Sequence, residues 1–195
     1  MTREDAVRDA SPSESERLVS ALVLAFGSDP VMRWLWPAAE AYLRNFPRLV
    51  RAFGGRAFGH ATAHTSLDHG GAALWLPPGV GPDAEQVEEL LRETLKEPVR
   101  SGALAVLEQM EEHHTKERHL YLAFIGVDAS RQGNGIGSVV IRRGLATCDG
   151  EGLYAYLESS NPANVPFYRR HGFEVTAEIR VGSSPVIHPM IRSPR

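Results

Sequence analysis

The stretch whose reading decides the fold is Val127-Asp128-Ala129-Ser130-Arg131-Gln132-Gly133-Asn134-Gly135-Ile136-Gly137-Ser138. Three glycines at alternate positions separate an apolar run, His119 to Val127, from a segment with helical spacing, Gly135 to Cys148. Glycine takes positive φ without strain and carries no side chain, so backbone N–H groups can converge there. The helix that follows adds four unpaired N–H groups and the positive end of its dipole. Together they predict a cradle for a phosphate or pyrophosphate.

Two familiar cradles fit badly. A P-loop needs a Lys-Ser/Thr pair after its glycines, and none follows here. A dinucleotide site would use Glu158, near the end of the next strand, for a ribose hydroxyl. Its third glycine would fall on Ser138, however, and the glycines begin six residues beyond Val127.

Working outward, Leu153 to Leu157 reads as a strand, so the stretch is the crossover of a strand-helix-strand unit. Asn161 to His171 reads as a short helix, and Val175 to Val181 and Val186 to Ile191 as closing strands. Toward the N-terminus, Ala6 to Ala10 is a short strand and Ser13 to Phe26 a helix ended by Gly27, Ser28, Asp29 and Pro30. Ala38 to Phe53 is a helix interrupted or offset near Pro47. Arg56 to Ser66 and Ala72 to Leu76 read as strands, and Asp83 to Lys96 and Ala103 to His113 as helices with apolar seams. No linker divides the chain, so residues 1–195 are expected to form one α/β domain.

Composition narrows the function classes. The chain has 195 residues, 43% hydrophobic and 23% charged, with a net charge of -3. Those values suit a globular protein and argue against disorder. The weakly acidic balance argues against nucleic acid as a partner. A lone cysteine, Cys148, excludes an intrachain disulfide and a Cys-based zinc site. The polar N-terminus lacks a signal core, and no apolar run approaches the roughly 20 residues that span a bilayer. A cytoplasmic location without membrane association is expected. Charge is divided: residues 1–118 hold 13 basic and 18 acidic groups, residues 119–195 hold 8 and 6. The mildly basic part carries the cradle, and the acidic part suits a cationic ligand.

Gln132, Gly135 and Gly137 match the Q/R-x-x-G-x-G/A signature of the GNAT superfamily of N-acetyltransferases. A second block, Asn164-Val165-Pro166-Phe167-Tyr168-Arg169-Arg170-His171-Gly172-Phe173, resembles that family's N-x-x-x-Y-x-x-x-G-F element. Leu120 to Ala177 is similar in particular to the puromycin N-acetyltransferase type, whereas residues 1–100 agree only in the order of elements. The resemblance implies an α/β (α+β) GNAT fold with a mixed, mostly antiparallel central sheet. It implies acetyl-CoA as cosubstrate, no metal, and a primary amine of a small molecule as acceptor. A protein N-terminus or lysine is an alternative acceptor, and a noncatalytic acyl-CoA-binding domain the rival of another class. A homodimer is left open.

The same resemblance implies roles. Gln132, Gly133, Asn134, Gly135, Ile136, Gly137 and Ser138 would bind the pyrophosphate. Ile125 and Val127 would bond the pantetheine arm as an added strand, with the Val127 N–H as oxyanion donor. Tyr168 would protonate the departing thiolate as general acid, since a phenol near pKa 10 can supply a thiolate. Asn164 would bridge the cofactor or shape a turn. Glu158 would take the ammonium proton, directly or through water, or serve structurally. Arg131, Arg142 and Arg143 could approach phosphates.

For the acceptor pocket the aromatic candidates are Trp34, Trp36, Tyr42, Phe46 and Trp75, with Trp34 and Trp36 foremost because they follow Asp29-Pro30. His60, His64 and His69 lack the H-E-x-x-H glutamate of a zinc site. His113 and His114 close a polar helix and are expected to face solvent.

Overall fold

A computed structural model describes residues 7–195 of the chain. Seven strands are present among them: β1 (Val7–Asp9), β2 (Ala63–Ser66), β3 (Gly71–Leu76), β4 (His119–Val127), β5 (Tyr154–Ser159), β6 (Glu174–Val175) and β7 (His188–Arg192). They form one sheet in the order β1-β2-β3-β4-β5-β7-β6. Every neighbouring pair is antiparallel except β4–β5. The α/β fold expected from the sequence, with its mostly antiparallel sheet, is the fold observed.

Seven helices cover the faces: α1 (Ser15–Ala25), α2 (Pro30–Leu35), α3 (Ala39–Gly54), α4 (Ala84–Thr94), α5 (Val99–His113), α6 (Ile136–Glu151) and α7 (Val165–Arg170). Strand β3 shows how the two-residue period builds both layers. Leu74 and Leu76 join Leu18, Leu22, Phe46 and Leu90 on one face. Ala73 and Trp75 join Val140, Ile141 and Leu145 of α6 on the other. Leu74, Trp75 and Leu76 are completely buried, each contributing about 1.5–3 kcal/mol by removal from water. No helix among the described residues is long and apolar enough to cross a membrane.

Two irregularities at the sheet centre shape everything that follows. First, β4 and β5 pair only from His119–Tyr121 against Tyr154–Tyr156, and then part. Second, Trp75 opposes Leu122 while Leu74 opposes Phe124, which leaves Ala123 unopposed. That extra residue is a β-bulge, and a bulge bends its strand and sharpens its twist.

Several expectations are corrected. Asp29-Pro30 starts α2 as well as ending α1: Asp29 Oδ1 accepts from the N–H groups of Val31 (3.0 Å) and Met32 (3.1 Å), and Pro30 occupies the first turn. Pro47 does not break α3; the carbonyl it cannot bond belongs to Leu43, which is exposed. Arg56 to His60 is a 3-10 helix, closed by Thr62 N–H on the Ala57 carbonyl at 3.1 Å. The closing strand from Val175 keeps only its first residue, because the chain then turns and meets β7's approach at one bridge, Ile179–Ile187. Ala6, the first residue of the first expected strand, lies outside the described residues.

Candidate active site

The glycine-rich turn forms as a chain of local bonds. Asp128 Oδ1 accepts from Ser130 N–H at 2.9 Å, and Gln132 Nε2 reaches back to the Val127 carbonyl at 3.1 Å. Gly133 has φ +82 and Gly135, which caps α6, has φ +80; both need glycine for that reason. A Cβ at Gly137 would meet only ordinary contacts, Val127 at 3.5 Å and Phe167 at 3.6 Å. Neither packing nor φ demands glycine at that position, and space on the cleft side is what its absent side chain provides.

Nine of the ten residues expected to hold cofactor line one cleft of about 370 Å3: Ile125, Val127, Gln132, Gly133, Gly135, Ile136, Gly137, Ser138 and Asn164. Asn134 does not; its Nδ2 is turned to the Arg131 carbonyl at 3.1 Å and shapes the turn. Among the described residues Arg131, which is paired with Asp68, and Arg170 line the cleft and no acidic residue does. The Arg170 contribution was not expected from sequence. Arg143 is held elsewhere, bonded through Nε and NH2 to Asp9 at 3.0 and 2.9 Å.

The cleft's other wall is strand edge. Asp128 N–H bonds the Gly70 carbonyl at 2.9 Å, so Gly71–Val127 is a non-hydrogen-bonded pair of the antiparallel ladder. By alternation the N–H and C=O of Val127 and of Ile125 point away from β3, into the gap that β5 has left. The bond from Gln132 to the Val127 carbonyl agrees with that direction.

A second cavity, about 130 Å3, adjoins the first and shares Ile125, Asn164 and Tyr168 with it. Its walls come largely from α1 to α5 and from the parted ends of β4 and β5. Tyr168 is 8% exposed; burial, then the charge of Asp29, raises its phenol above the usual range. Glu158 enters from β5 with its side chain 3% exposed, and Oε1 has no hydrogen-bond partner. Burial and then the Glu158 charge push the phenols of Tyr121 and Tyr156 up.

Trp34 lines this cavity, its Nε1 donating to Ser183 Oγ at 3.2 Å. Trp36 does not: it is 1% exposed, in the core, with Nε1 on Thr94 Oγ1 at 3.1 Å. Tyr42, Phe46 and Trp75 are also core. Phe26 and Phe53 supply aromatic wall that the sequence reading missed.

The histidines are a further correction. His114 does not simply face solvent: its Nδ1 lies 3.6 Å from Glu158 Oε1, and its Nε2 lies 3.0 Å from His119 Nε2. His119 Nδ1 is 2.6 Å from the Glu117 carbonyl. Burial lowers the His119 pKa. These residues open on a third cavity, about 870 Å3, which also touches Glu158. His64 and His69 pair with Asp9 and Glu14 at the sheet's far edge. Cys148 lies on the buried face of α6, its thiol pushed up to about 12 by burial.

Comparison with known proteins agrees with this architecture. Residues 86–173 match the family model described as Acetyltransferase (GNAT) family. An uncharacterized N-acetyltransferase of Schizosaccharomyces pombe is 28% identical over 97% of this chain and 83% of its own length. A Corynebacterium glutamicum structure described as histone acetyltransferase HPA2 and related acetyltransferase is similar over 97% of this chain and 96% of its own, with 22% identity and TM-score 0.68. The polyamine N-acetyltransferase of Drosophila melanogaster is similar over 96% and 98%, with 14% identity and TM-score 0.62. Residues 86–173 are thus matched as a GNAT acetyltransferase-family domain, and with the N-acetyltransferase relative this makes the protein an acyltransferase.

Proposed function

We propose that this enzyme transfers the acetyl group of acetyl-CoA to a primary amine of a small molecule. One observation carries the reading: a cleft with a glycine floor and two arginines runs, through Ile125, Asn164 and Tyr168, into a cavity holding a buried carboxylate whose Oε1 has no hydrogen-bond partner. The family uses acetyl-CoA, and structural neighbours include an agmatine and a polyamine N-acetyltransferase.

The residues fit a pyrophosphate followed by an extended amide arm. The first N–H groups of α6 and the guanidinium of Arg170 face the anion, while Arg131 is paired with Asp68 beside them. The outward N–H and C=O groups of Val127 and Ile125 bond the arm as β-augmentation does. Acetyl-CoA supplies an activated thioester when bound. Ile125 borders both cavities whereas Val127 borders only the cofactor cleft, so the geometry favours the Ile125 N–H, over that of Val127, as donor to the developing oxyanion. Glu158 removes the ammonium proton, which makes the nitrogen nucleophilic. Tyr168, held protonated by burial, returns a proton to the departing sulfur. Holding both reactants in one cleft contributes several kcal/mol of the barrier reduction.

Thermal unfolding with acetyl-CoA, coenzyme A and NAD, followed by thiol release across an amine panel, tests this. A ligand confined to the native state adds about 2.7 kcal/mol at one hundred times its Kd. Stabilisation by NAD alone, or acetyl-CoA binding without thiol release from any amine, overturns the reading.

A further inference from the structure

We propose that the acceptor is a primary amine carried on a compact apolar body, one ring or a short branched chain. This rests on the acetyl-transfer reading. The cavity beside Tyr168 is walled by side chains such as Val31, Met32, Leu35 and Phe53, and among the described residues no lysine, arginine or histidine lines it. Its one carboxylate, Glu158, is buried with Oε1 unpartnered. A buried charge in apolar surroundings requires a counter-charge, and an ammonium supplies one.

The rest of the ligand must then tolerate a dry wall. An amino acid brings a carboxylate with no cation to meet it. A linear diamine brings a second ammonium that finds no second acid in the cavity. The volume, about 130 Å3, is close to that of apolar cavities of ~150 Å3 that take up benzene. The glutamates of the outer cavity, Glu108, Glu111 and Glu112, attract cations toward the site without selecting among them.

The experiment compares phenethylamine, isoamylamine, putrescine and phenylalanine as acceptors. The expected kcat/KM for phenethylamine exceeds those for putrescine and phenylalanine by about 100-fold, and each added apolar methylene gains about fourfold until the cavity is full. Putrescine equal to or better than phenethylamine overturns the proposal and leaves acetyl transfer standing. If no amine releases thiol, acetyl transfer fails instead, and calorimetry on the coenzyme A complex still decides. Phenethylamine binding with a negative heat-capacity change supports an apolar amine site, and preferential putrescine binding overturns it.

A separate observation, the direction of two hydrogen bonds and the approach of His114 Nδ1 to Glu158, carries a second proposal. A carbonyl only accepts, so the bond at Glu117 places a hydrogen on His119 Nδ1. Neutral His119 then accepts at Nε2, and His114 Nε2 must donate to it. Neutral His114 is left with a bare Nδ1 facing the Glu158 carboxylate at 3.6 Å. Two acceptors confront each other across a slot that one proton fills. We infer that His114 and His119 export the proton that Glu158 takes from the amine. It passes from Glu158 Oε1 to His114 Nδ1; His114 Nε2–H moves to His119 Nε2; and the Nδ1 hydrogen of His119 leaves the Glu117 carbonyl for solvent water at the outer cavity. The other titratable groups around the pair are Tyr121 and Tyr156, against the His114 ring, and Glu88, Arg92, Glu108, Glu111 and Glu112 of the outer cavity.

His114→Ala should lower kcat by about 10- to 100-fold with the amine KM nearly unchanged, and added imidazole should restore at least tenfold. His119→Gln should lower kcat in the same direction, again with the amine KM nearly unchanged. Unchanged kcat, or a loss that imidazole does not restore while KM rises, overturns the relay.

Discussion

Ser160 Oγ donates to Asp29 Oδ2 at 2.6 Å, joining positions 131 residues apart in sequence. The other oxygen of the same carboxylate caps α2, so one side chain ties the wall of the amine cavity to the end of β5. Burial raises the Asp29 pKa, against the pull of Ser160 and the two backbone donors. Asp29→Ala should lower stability by about 1–2 kcal/mol through the lost cap alone. It should also raise the amine KM several-fold without changing acetyl-CoA affinity, whereas Asp29→Asn should retain much of both. Denaturant titration and steady-state kinetics check this; an unaltered KM for Asp29→Ala would separate α2 from the acceptor site.

Glu158→Gln and Tyr168→Phe should each depress kcat by about 10²–10⁴-fold, the range of a positioned acid or base. Acetyl-CoA affinity should stay within about twofold, because both groups sit at the junction or beyond it. Rapid-quench kinetics together with ligand titration distinguish lost chemistry from lost binding. Full turnover in Tyr168→Phe would remove that phenol from the reaction.

Gly135→Ala forces a Cβ into positive φ, at a cost of about 1–2 kcal/mol. Because the strain falls on the residue that caps α6, acetyl-CoA affinity should drop at least tenfold. Gly137→Ala offers the contrast: the protein accommodates its methyl group, so stability should hold while affinity falls. Parallel calorimetry and thermal melts read the two quantities. Equal affinity for Gly137→Ala would mean that the ligand does not approach that position.

Acid stability has a specific source in Asp149. The buried Arg192 guanidinium forks onto it at 2.8 and 2.9 Å, and this bond, with the N–H of Arg195, holds its carboxyl below the usual value of 3.8. A depressed acid contributes stability that is fully present above its unfolded pKa and fades as pH falls through the folded one. The loss therefore begins near pH 4 and grows below it. Asp149→Asn should remove about 1–3 kcal/mol at pH 7 and flatten the acid limb of stability between pH 5 and 2. Urea denaturation across that range is the measurement.

Much of the cofactor cleft was legible because its residues are contiguous. Gln132 and Asn134 shape the turn through bonds to Val127 and Arg131, within five residues, and glycine identity alone reports positive φ at Gly133 and Gly135. The amine cavity was far less legible, since its wall is assembled from α1 to α5 and from two strands. Trp34 and Trp36 look alike in sequence, yet only one faces the cavity, because α2 ends at Leu35 and turns the next side chain into the core. That helix was missed when Asp29-Pro30 was read only as a stop, although the same pair is a start signal. His114 carries no local mark of function either. Its role depends on Glu158, 44 positions away, and on the sheet register that sets Tyr156 beside Tyr121.

The parting of β4 and β5 has a consequence for evolution and engineering. A sheet usually confines its unsatisfied backbone to its two flanks, and here a further stretch lies in the middle. Extending the parallel ladder past Tyr121 and Tyr156 would satisfy those groups and make the protein more stable. It would also erase the place where ligand amides dock. Stabilising substitutions chosen by backbone satisfaction alone would thus select for a dead enzyme, and those directed at β6 or the α3–α4 face would not.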